Sequence, residues 1–125
     1  MAVNRSKRTH QQCTLLVSID GDNQSIEARK QYFDGILTAR QMPPRADGEP
    51  VAIWVPSRNI ETWIRHFSGE VVNEADDYKG KVRNLNLKQT AEGFVAEFRQ
   101  WQQSSKGLRT LPSLIDAYEE LTRIL

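Results

Sequence analysis

The sequence predicts an α/β domain: a partial, Rossmann-like parallel sheet of few strands, flanking helices and a helical carboxyl-terminal segment. Two short apolar runs, residues 13–19 and 51–55, have the composition of strands buried on both faces. A helical pattern lies between them, so the order is strand, helix, strand. This order predicts a parallel pair joined by a right-handed crossover.

The helices are predicted from apolar residues at helical spacing and from turn residues between them. Ser25 is the predicted N-cap of the first helix, which ends near Gln41 before a proline-rich loop at 43–50. Further helices are predicted at 59–67, at 87–103 and from an N-cap at Ser113 onward. In the second helix, Trp63 belongs to an apolar stripe and is predicted to be a core residue.

Length and composition favour one domain without a membrane-spanning segment. The chain has 125 residues, a net charge of +1 and no apolar run near the length of a membrane span, so we expect a cytoplasmic protein without a membrane partner. The single cysteine, Cys13, excludes an intrachain disulfide. We divide the chain into a basic arm or linker (1–12), an α/β core (13–69), and a loop with two helices that pack on the core (70–125).

The basic arm contains Arg5, Lys7, Arg8 and His10 and no acidic residue. Such a segment can contact phosphates. The alternative is an ordinary solvated terminus.

An acidic turn, Asp20-Gly21-Asp22, follows the first predicted strand. Functional groups in open α/β sheets collect beyond the carboxyl ends of the strands. Two carboxylates held close together repel unless a cation is present, and oxygen ligands suit Mg²⁺ or Mn²⁺. Gly21 is predicted to allow a sharp turn. An EF-hand is excluded, because its loop needs glutamate at the twelfth position from Asp20, which is Gln31 here. The simpler alternative to a metal site is that both aspartates only cap a turn and the following helix.

A second polar segment, Pro56 to Trp63, follows the second predicted strand. Glu61 and Arg65 are four residues apart and can pair on one helical face. Alternatively, Glu61 and Arg58 face the same crevice as the two aspartates.

A buried strand ending in Asp-x-Asp, a helix, and a strand followed by Ile60-Glu61-Thr62-Trp63 resemble the second half of TOPRIM domains, the fold shared by topoisomerases, primases and some nucleases. The similarity covers residues 14–69 and is closest to small bacterial TOPRIM-like proteins related to the overcoming-lysogenization-defect nucleases. It implies that Asp20 and Asp22 hold Mg²⁺ or Mn²⁺ and that Glu61 joins them as a third catalytic acid.

TOPRIM domains also use a glutamate at the end of an earlier strand, and no acidic residue precedes Asp20 here. Two strands are also few for a stable sheet, which commonly has about 4–6. We therefore expect the first strand and its glutamate to be missing from this chain. Three accounts are open: a fragment of a longer protein, which we favour; a sheet completed by another chain or a second copy; or a catalytically inactive relative.

Two functions follow as hypotheses. In the first, the chain is part of a metal-dependent nuclease acting on nucleic acid, DNA ahead of RNA, with Arg58, Lys79 and Lys81 neutralising phosphate charge. In the second, it is a non-catalytic interaction module that completes its sheet as a homodimer or with a partner chain, for example in a phage-defence assembly.

Overall fold

The computed structural model describes residues 14–80 and 87–125. The predicted basic arm 1–12, Cys13 and Lys81 lie outside these residues. Within them the elements are, in chain order, β1 (Leu15–Ser18), α1 (Ile26–Ala39), β2 (Val51–Trp54), α2 (Ile60–Phe67), α3 (Leu87–Gln103), a 3₁₀ turn (Ser105–Gly107) and α4 (Pro112–Leu121).

The two strands pair in parallel, with Leu15 aligned to Val51 and Ser18 to Trp54. The described chain is therefore mixed α/β, with a two-stranded parallel sheet and four α-helices, and the predicted α/β class is confirmed. No helix in the described ranges combines the length and apolarity needed to cross a bilayer.

Helix α1 covers one face of the sheet. Ser25 is its N-cap, as predicted, and the Ser25 hydroxyl accepts the Ala28 N–H at 3.1 Å. Satisfying an amide at the first turn in this way fixes where the helix begins. Phe33 and Leu37 then pack with Ile53 of β2 in a buried cluster.

The other face of the sheet carries an aromatic core built with α2, α3 and α4. Trp54 of β2 contacts Trp63 of α2, with ring centroids 5.9 Å apart, and Phe94 of α3 at 4.7 Å. Tyr118 of α4 is fully buried in the same cluster. The prediction that Trp63 is a core residue is confirmed.

Helix α4 begins one residue before the predicted N-cap. Pro112 is the first helical residue, a position where its missing N–H costs nothing, so the prediction of Ser113 as the cap is wrong. Instead, the Ser113 hydroxyl accepts a hydrogen bond from the Trp63 indole at 2.9 Å and donates to the Glu74 carboxylate. Glu74 also accepts the Ser113 N–H at 2.9 Å, so a side chain from the 70–80 loop caps this helix.

Side chains close the outer edge of β2. The Glu120 carboxylate of α4 accepts the Ile53 N–H at 2.8 Å, and the Arg45 guanidinium donates to the Val51 carbonyl at 3.1 Å. Glu120 in turn forms ion pairs with Arg45 and with Lys30, the latter at 2.9 Å. These groups take the place of two of the hydrogen bonds that a third strand would make at this edge.

Candidate metal centre at the carboxyl end of the sheet

The turn after β1 is bonded to the turn after β2. The Gly21 N–H donates to the Pro56 carbonyl at 2.8 Å, and the Asp22 N–H donates to the Arg58 carbonyl at 2.9 Å. Asp22 and Arg58 form an isolated antiparallel bridge, and both have left-handed backbones, with φ of 52° and 63°. Left-handed conformations are uncommon outside glycine, above all for a long side chain, and they concentrate at functional sites.

Gly21 is required for a reason other than the one predicted from the sequence. The left-handed residue of the turn is Asp22, not Gly21. A Cβ on Gly21 would lie 2.9 Å from the Pro56 carbonyl oxygen and 3.3 Å from the Ser57 Cα. Glycine therefore allows the two turns to approach each other closely.

The two turns and the 70–80 loop enclose a cavity of about 220 Å³. Its wall is polar and carries both charges, and it is formed by Asp20, Asp22, Asn23, Arg58, Asn59, Asp77 and Lys79. Four of the residues predicted from the sequence, Asp20, Asp22, Arg58 and Lys79, thus lie in one place. Glu61 is not in this wall, and its carboxylate accepts the Gly80 N–H at 3.3 Å.

The electrostatics of the cavity centre on Asp20. Partial burial, then the negative charges of Asp22 and Glu61, raise the pKa of Asp20 above its ordinary value, against the opposing charges of Lys79 and Arg29. Crowded carboxylates of this kind have a shortage of positive charge that a divalent cation would relieve.

The cationic side of the cavity is held by the 70–80 loop. The Arg58 Nε donates to the Ala75 carbonyl at 2.9 Å. Asp77 accepts the Asn59 side-chain amide at 2.8 Å and the Lys79 N–H at 2.9 Å. The Lys79 N–H, then the Asn59 amide, hold the pKa of Asp77 below its usual range, so this carboxylate stays ionised beside the two basic residues.

Sequence reasoning did not select Asn59 or Asp77 as site residues. Asn59 is only 5% exposed, and its Oδ1 is buried without a hydrogen-bond partner in the described ranges. Its place directly before α2, at the carboxyl end of β2, was the available signal. Asp77 belongs to an acidic run with Glu70, Glu74 and Asp76, and the sequence gives no sign of which of these acids reaches the site.

The alternative pairing of Glu61 with Arg65 does not form. Arg65 donates to Glu70 at 2.8 Å, and its guanidinium lies over the Tyr78 ring, 4.7 Å from the centroid. Arg65 therefore faces the 70–80 loop. It does not pair with Glu61, whose negative charge acts on Asp20 in the cavity wall.

Within residues 14–80 and 87–125, no three His, Cys, Asp or Glu side chains come together as a metal-binding group. A cation here would therefore have two carboxylates as charged ligands and neutral oxygens or water for the rest. Mg²⁺ commonly binds in this way, through one or two carboxylates and several waters. In comparisons with known proteins, no family model, curated protein or solved structure matches this chain.

Proposed function

We propose that this chain is a Mg²⁺- or Mn²⁺-binding domain of a nuclease that cleaves nucleic-acid phosphodiesters, with a core similar to the carboxyl-terminal half of TOPRIM domains. One observation carries the proposal. A single cavity at the carboxyl ends of two parallel strands combines the Asp20 and Asp22 carboxylates with the Arg58 and Lys79 side chains. Paired carboxylates suit a hard cation, and the adjacent basic groups suit the phosphate of a substrate.

The donor set fits the proposed metal. Asp20 and Asp22 supply charged oxygens, and the raised pKa of Asp20 reflects a repulsion that a cation would remove. Asn23 in the same wall offers a further neutral oxygen. A bound Mg²⁺ or Mn²⁺ would polarise the scissile phosphate and lower the pKa of a water molecule.

The remaining residues would act on the substrate. The hydrogen bond from Arg58 to the Ala75 carbonyl fixes the side chain, so its positive charge is already positioned at the cavity before a substrate binds. Lys79 lies in the same wall and would neutralise a second phosphate oxygen. Glu61 lies outside the cavity wall, but its negative charge acts on Asp20, and we propose it as a third acid beside the two aspartates. Because no three acidic side chains of the described residues come together as a metal-binding group, we expect weak cleavage or none from this chain alone.

Calorimetric titration of the full chain with MnCl₂ and MgCl₂ tests the metal site directly. We expect wild type to bind, and Asp20→Asn and Asp22→Asn each to weaken binding by about 10-fold or more, a loss of the size seen when metal-site residues are changed. Asp47→Asn is the matched control, because Asp47 is exposed and its ion pair with Arg123, the one it makes among the described residues, spans 3.7 Å. Binding that survives in both site variants would contradict the proposal.

A cleavage assay tests the substrate class. Labelled single- and double-stranded DNA and RNA are incubated with wild type and Asp20→Asn in Mn²⁺ and in EDTA. Weak cleavage that needs both Mn²⁺ and Asp20 would support a nuclease, and cleavage equal in Asp20→Asn and wild type would identify a contaminant. If the protein binds metal but neither this chain nor a longer gene product cleaves any of these substrates, the metal-site proposal would stand and the nuclease proposal would be rejected.

A further inference from the structure

The two edges of the sheet differ. The outer edge of β2 is partly covered by Glu120, which accepts the Ile53 N–H, and by Arg45, which donates to the Val51 C=O. The outer edge of β1 has no strand against it in the described part of the chain. Any growth of the sheet must therefore occur through β1.

Among the residues that the structure describes, the backbone of β1 has hydrogen-bonding groups without partners on that edge. Leu15, Ile19 and Gly21 donate their N–H groups toward β2. Because a strand alternates its hydrogen-bonding direction, the N–H and C=O groups of Leu16 and Ser18 point to the open edge. The strand, although only four residues long, carries no charged residue and no proline, and its register with β2 is continuous, so it lacks the charges, prolines and bulges that protect edge strands from pairing.

An apolar groove of about 440 Å³ lies beside this edge, on the face opposite α1. Leu16, which is 44% exposed, forms part of its wall together with Trp54 of β2 and residues of α2 and α3. Leu87 and Val95 of α3 are 63% and 44% exposed in the same wall. Exposed apolar residues that cluster in one place mark an interaction surface.

We propose that β1 pairs antiparallel with β1 of a second copy of this chain, around a twofold axis at Val17. This register places Leu16 of each copy opposite Ser18 of the other, so that each bulky side chain meets a small one. Since β1 is uncharged, the two copies approach without charge repulsion. The result is one sheet of four strands, a common size, in place of two isolated pairs. The exposed Leu16 side chains lie across the joined edge and extend the apolar surface of both grooves.

This inference does not rest on the metal site. Asp20 and Asp22 follow the carboxyl end of β1, so antiparallel pairing directs the two acidic turns to opposite ends of the joined sheet. Each copy keeps its own cavity. Loss of the dimer would leave Mn²⁺ binding intact, and loss of Mn²⁺ binding in Asp20→Asn would leave the dimer intact.

Light scattering after size-exclusion chromatography, over a concentration series of the full chain, measures whether the protein is a monomer or a dimer. We expect wild type to reach twice the monomer mass of 14.3 kDa, and Leu16→Lys and Ser18→Pro to stay at the monomer mass. Proline at 18 is compatible with the monomer because the Ser18 N–H faces the open edge, and Ser18→Thr, which keeps that N–H, should remain dimeric. Unchanged circular dichroism and Mn²⁺ binding must accompany both monomeric variants. A wild-type monomer throughout the series, or a dimer that both edge variants retain, would overturn the proposal.

Disulfide formation between two copies tests the register in which their β1 strands pair. In a Cys13→Ser background, Val17→Cys should form an intermolecular disulfide on mild oxidation, because residues at the axis face each other in a non-hydrogen-bonded pair with close Cβ atoms. Ser18→Cys faces residue 16 of the other copy and should cross-link far less. The reverse order would exclude this pairing.

Discussion

Asp20 is harder to ionise than an ordinary aspartate, since burial and the charges of Asp22 and Glu61 raise its pKa. For an acid whose pKa is higher in the folded state, folding favours the protonated form. Its contribution to stability is thus largest at low pH and is lost as pH rises through the folded pKa. A bound cation favours the ionised form and reverses this preference.

We therefore predict that Mn²⁺ affinity falls as the pH is lowered from about 7. Because the pKa of Asp20 is raised, this loss should begin at a higher pH than it would for an aspartate with the ordinary pKa of about 3.9. Calorimetry at several pH values, with carboxyl NMR of Asp20, measures both quantities. In Glu61→Gln, one like charge is removed, so the pKa of Asp20 should fall and the loss of affinity should move to lower pH. An unchanged titration in Glu61→Gln would show that Glu61 does not influence Asp20.

Arg58, whose charge we propose to act on the substrate, has an unfavourable backbone conformation with a φ of 63°. A left-handed conformation costs a residue with a Cβ roughly 1–2 kcal/mol. Arg58→Ala and Arg58→Gly both lose the guanidinium and its bond to Ala75, but only glycine removes the backbone cost. We predict that Arg58→Gly is more stable than Arg58→Ala by about 1 kcal/mol in urea denaturation. Equal stabilities would mean that the chain relaxes at this bridge.

Two glycines lie inside helices, and their surroundings differ. A Cβ on Gly93 of α3 would lie 2.7 Å from Cδ1 and 3.2 Å from Cβ of Phe67, so the missing side chain makes room for that ring. A Cβ on Gly35 of α1 meets no atom within 4 Å. The first glycine thus has a packing role, and the second does not.

Replacing each glycine by alanine should therefore give opposite results. Alanine gains about 1 kcal/mol in helix propensity at either position. At Gly93 the collision with Phe67 costs about 1–3 kcal/mol, so Gly93→Ala should be neutral to destabilising. Gly35→Ala should be stabilising by about 1 kcal/mol. Thermal and urea unfolding of the two variants measure this, and equal gains at both sites would show that Phe67 moves freely.

Much of the element layout follows from local patterns, because helical periodicity and the Ser25 cap act within a few residues of each other. The position of Asp20 and Asp22 at a strand end follows from the same patterns. The choice of partners does not. Arg65 pairs with Glu70 in place of Glu61, and only the path of the 70–80 loop decides between them. Asp77 reaches Asn59 across 18 positions, a contact that no periodicity encodes.

At the scale of the whole molecule, Glu120 joins α4 to β2 and α1. Burial acts to raise the pKa of Glu120, but the bonds from Arg45, the Ile53 N–H and Lys30 outweigh it and hold the pKa below its usual value. A lowered carboxyl pKa adds stability above the unfolded value, and that stability is lost as pH falls through the folded pKa. Acidification should therefore weaken the attachment of α4 to the sheet.

Glu120→Ala should remove the attachment at any pH. It leaves the Ile53 N–H without its acceptor and removes one partner each from Lys30 and Arg45, which keep Asp116 and the Val51 carbonyl. Breaking a buried ion pair costs about 3–5 kcal/mol when the remaining charge is left unpaired, and we expect a loss of stability toward the lower end of that range. The neighbouring exposed Glu119→Ala is the control and should change stability by less than about 0.5 kcal/mol. Urea denaturation at neutral pH measures the stability of both variants. Equal losses of stability would show that Glu120 does not attach α4 to the sheet.

The hydrogen bonds between Glu74 and Ser113 join the amino end of α4 to the loop that forms part of the cavity wall. Glu74 holds the amino end of α4, and Asp77 and Lys79, three and five residues further along the same loop, form part of the wall of the cavity. We expect an occupant of the cavity to make this loop more rigid, and with it the contact between Glu74 and the first turn of α4. Amide exchange at Ser113, far from the aspartates in sequence, would then report on the occupancy of the cavity.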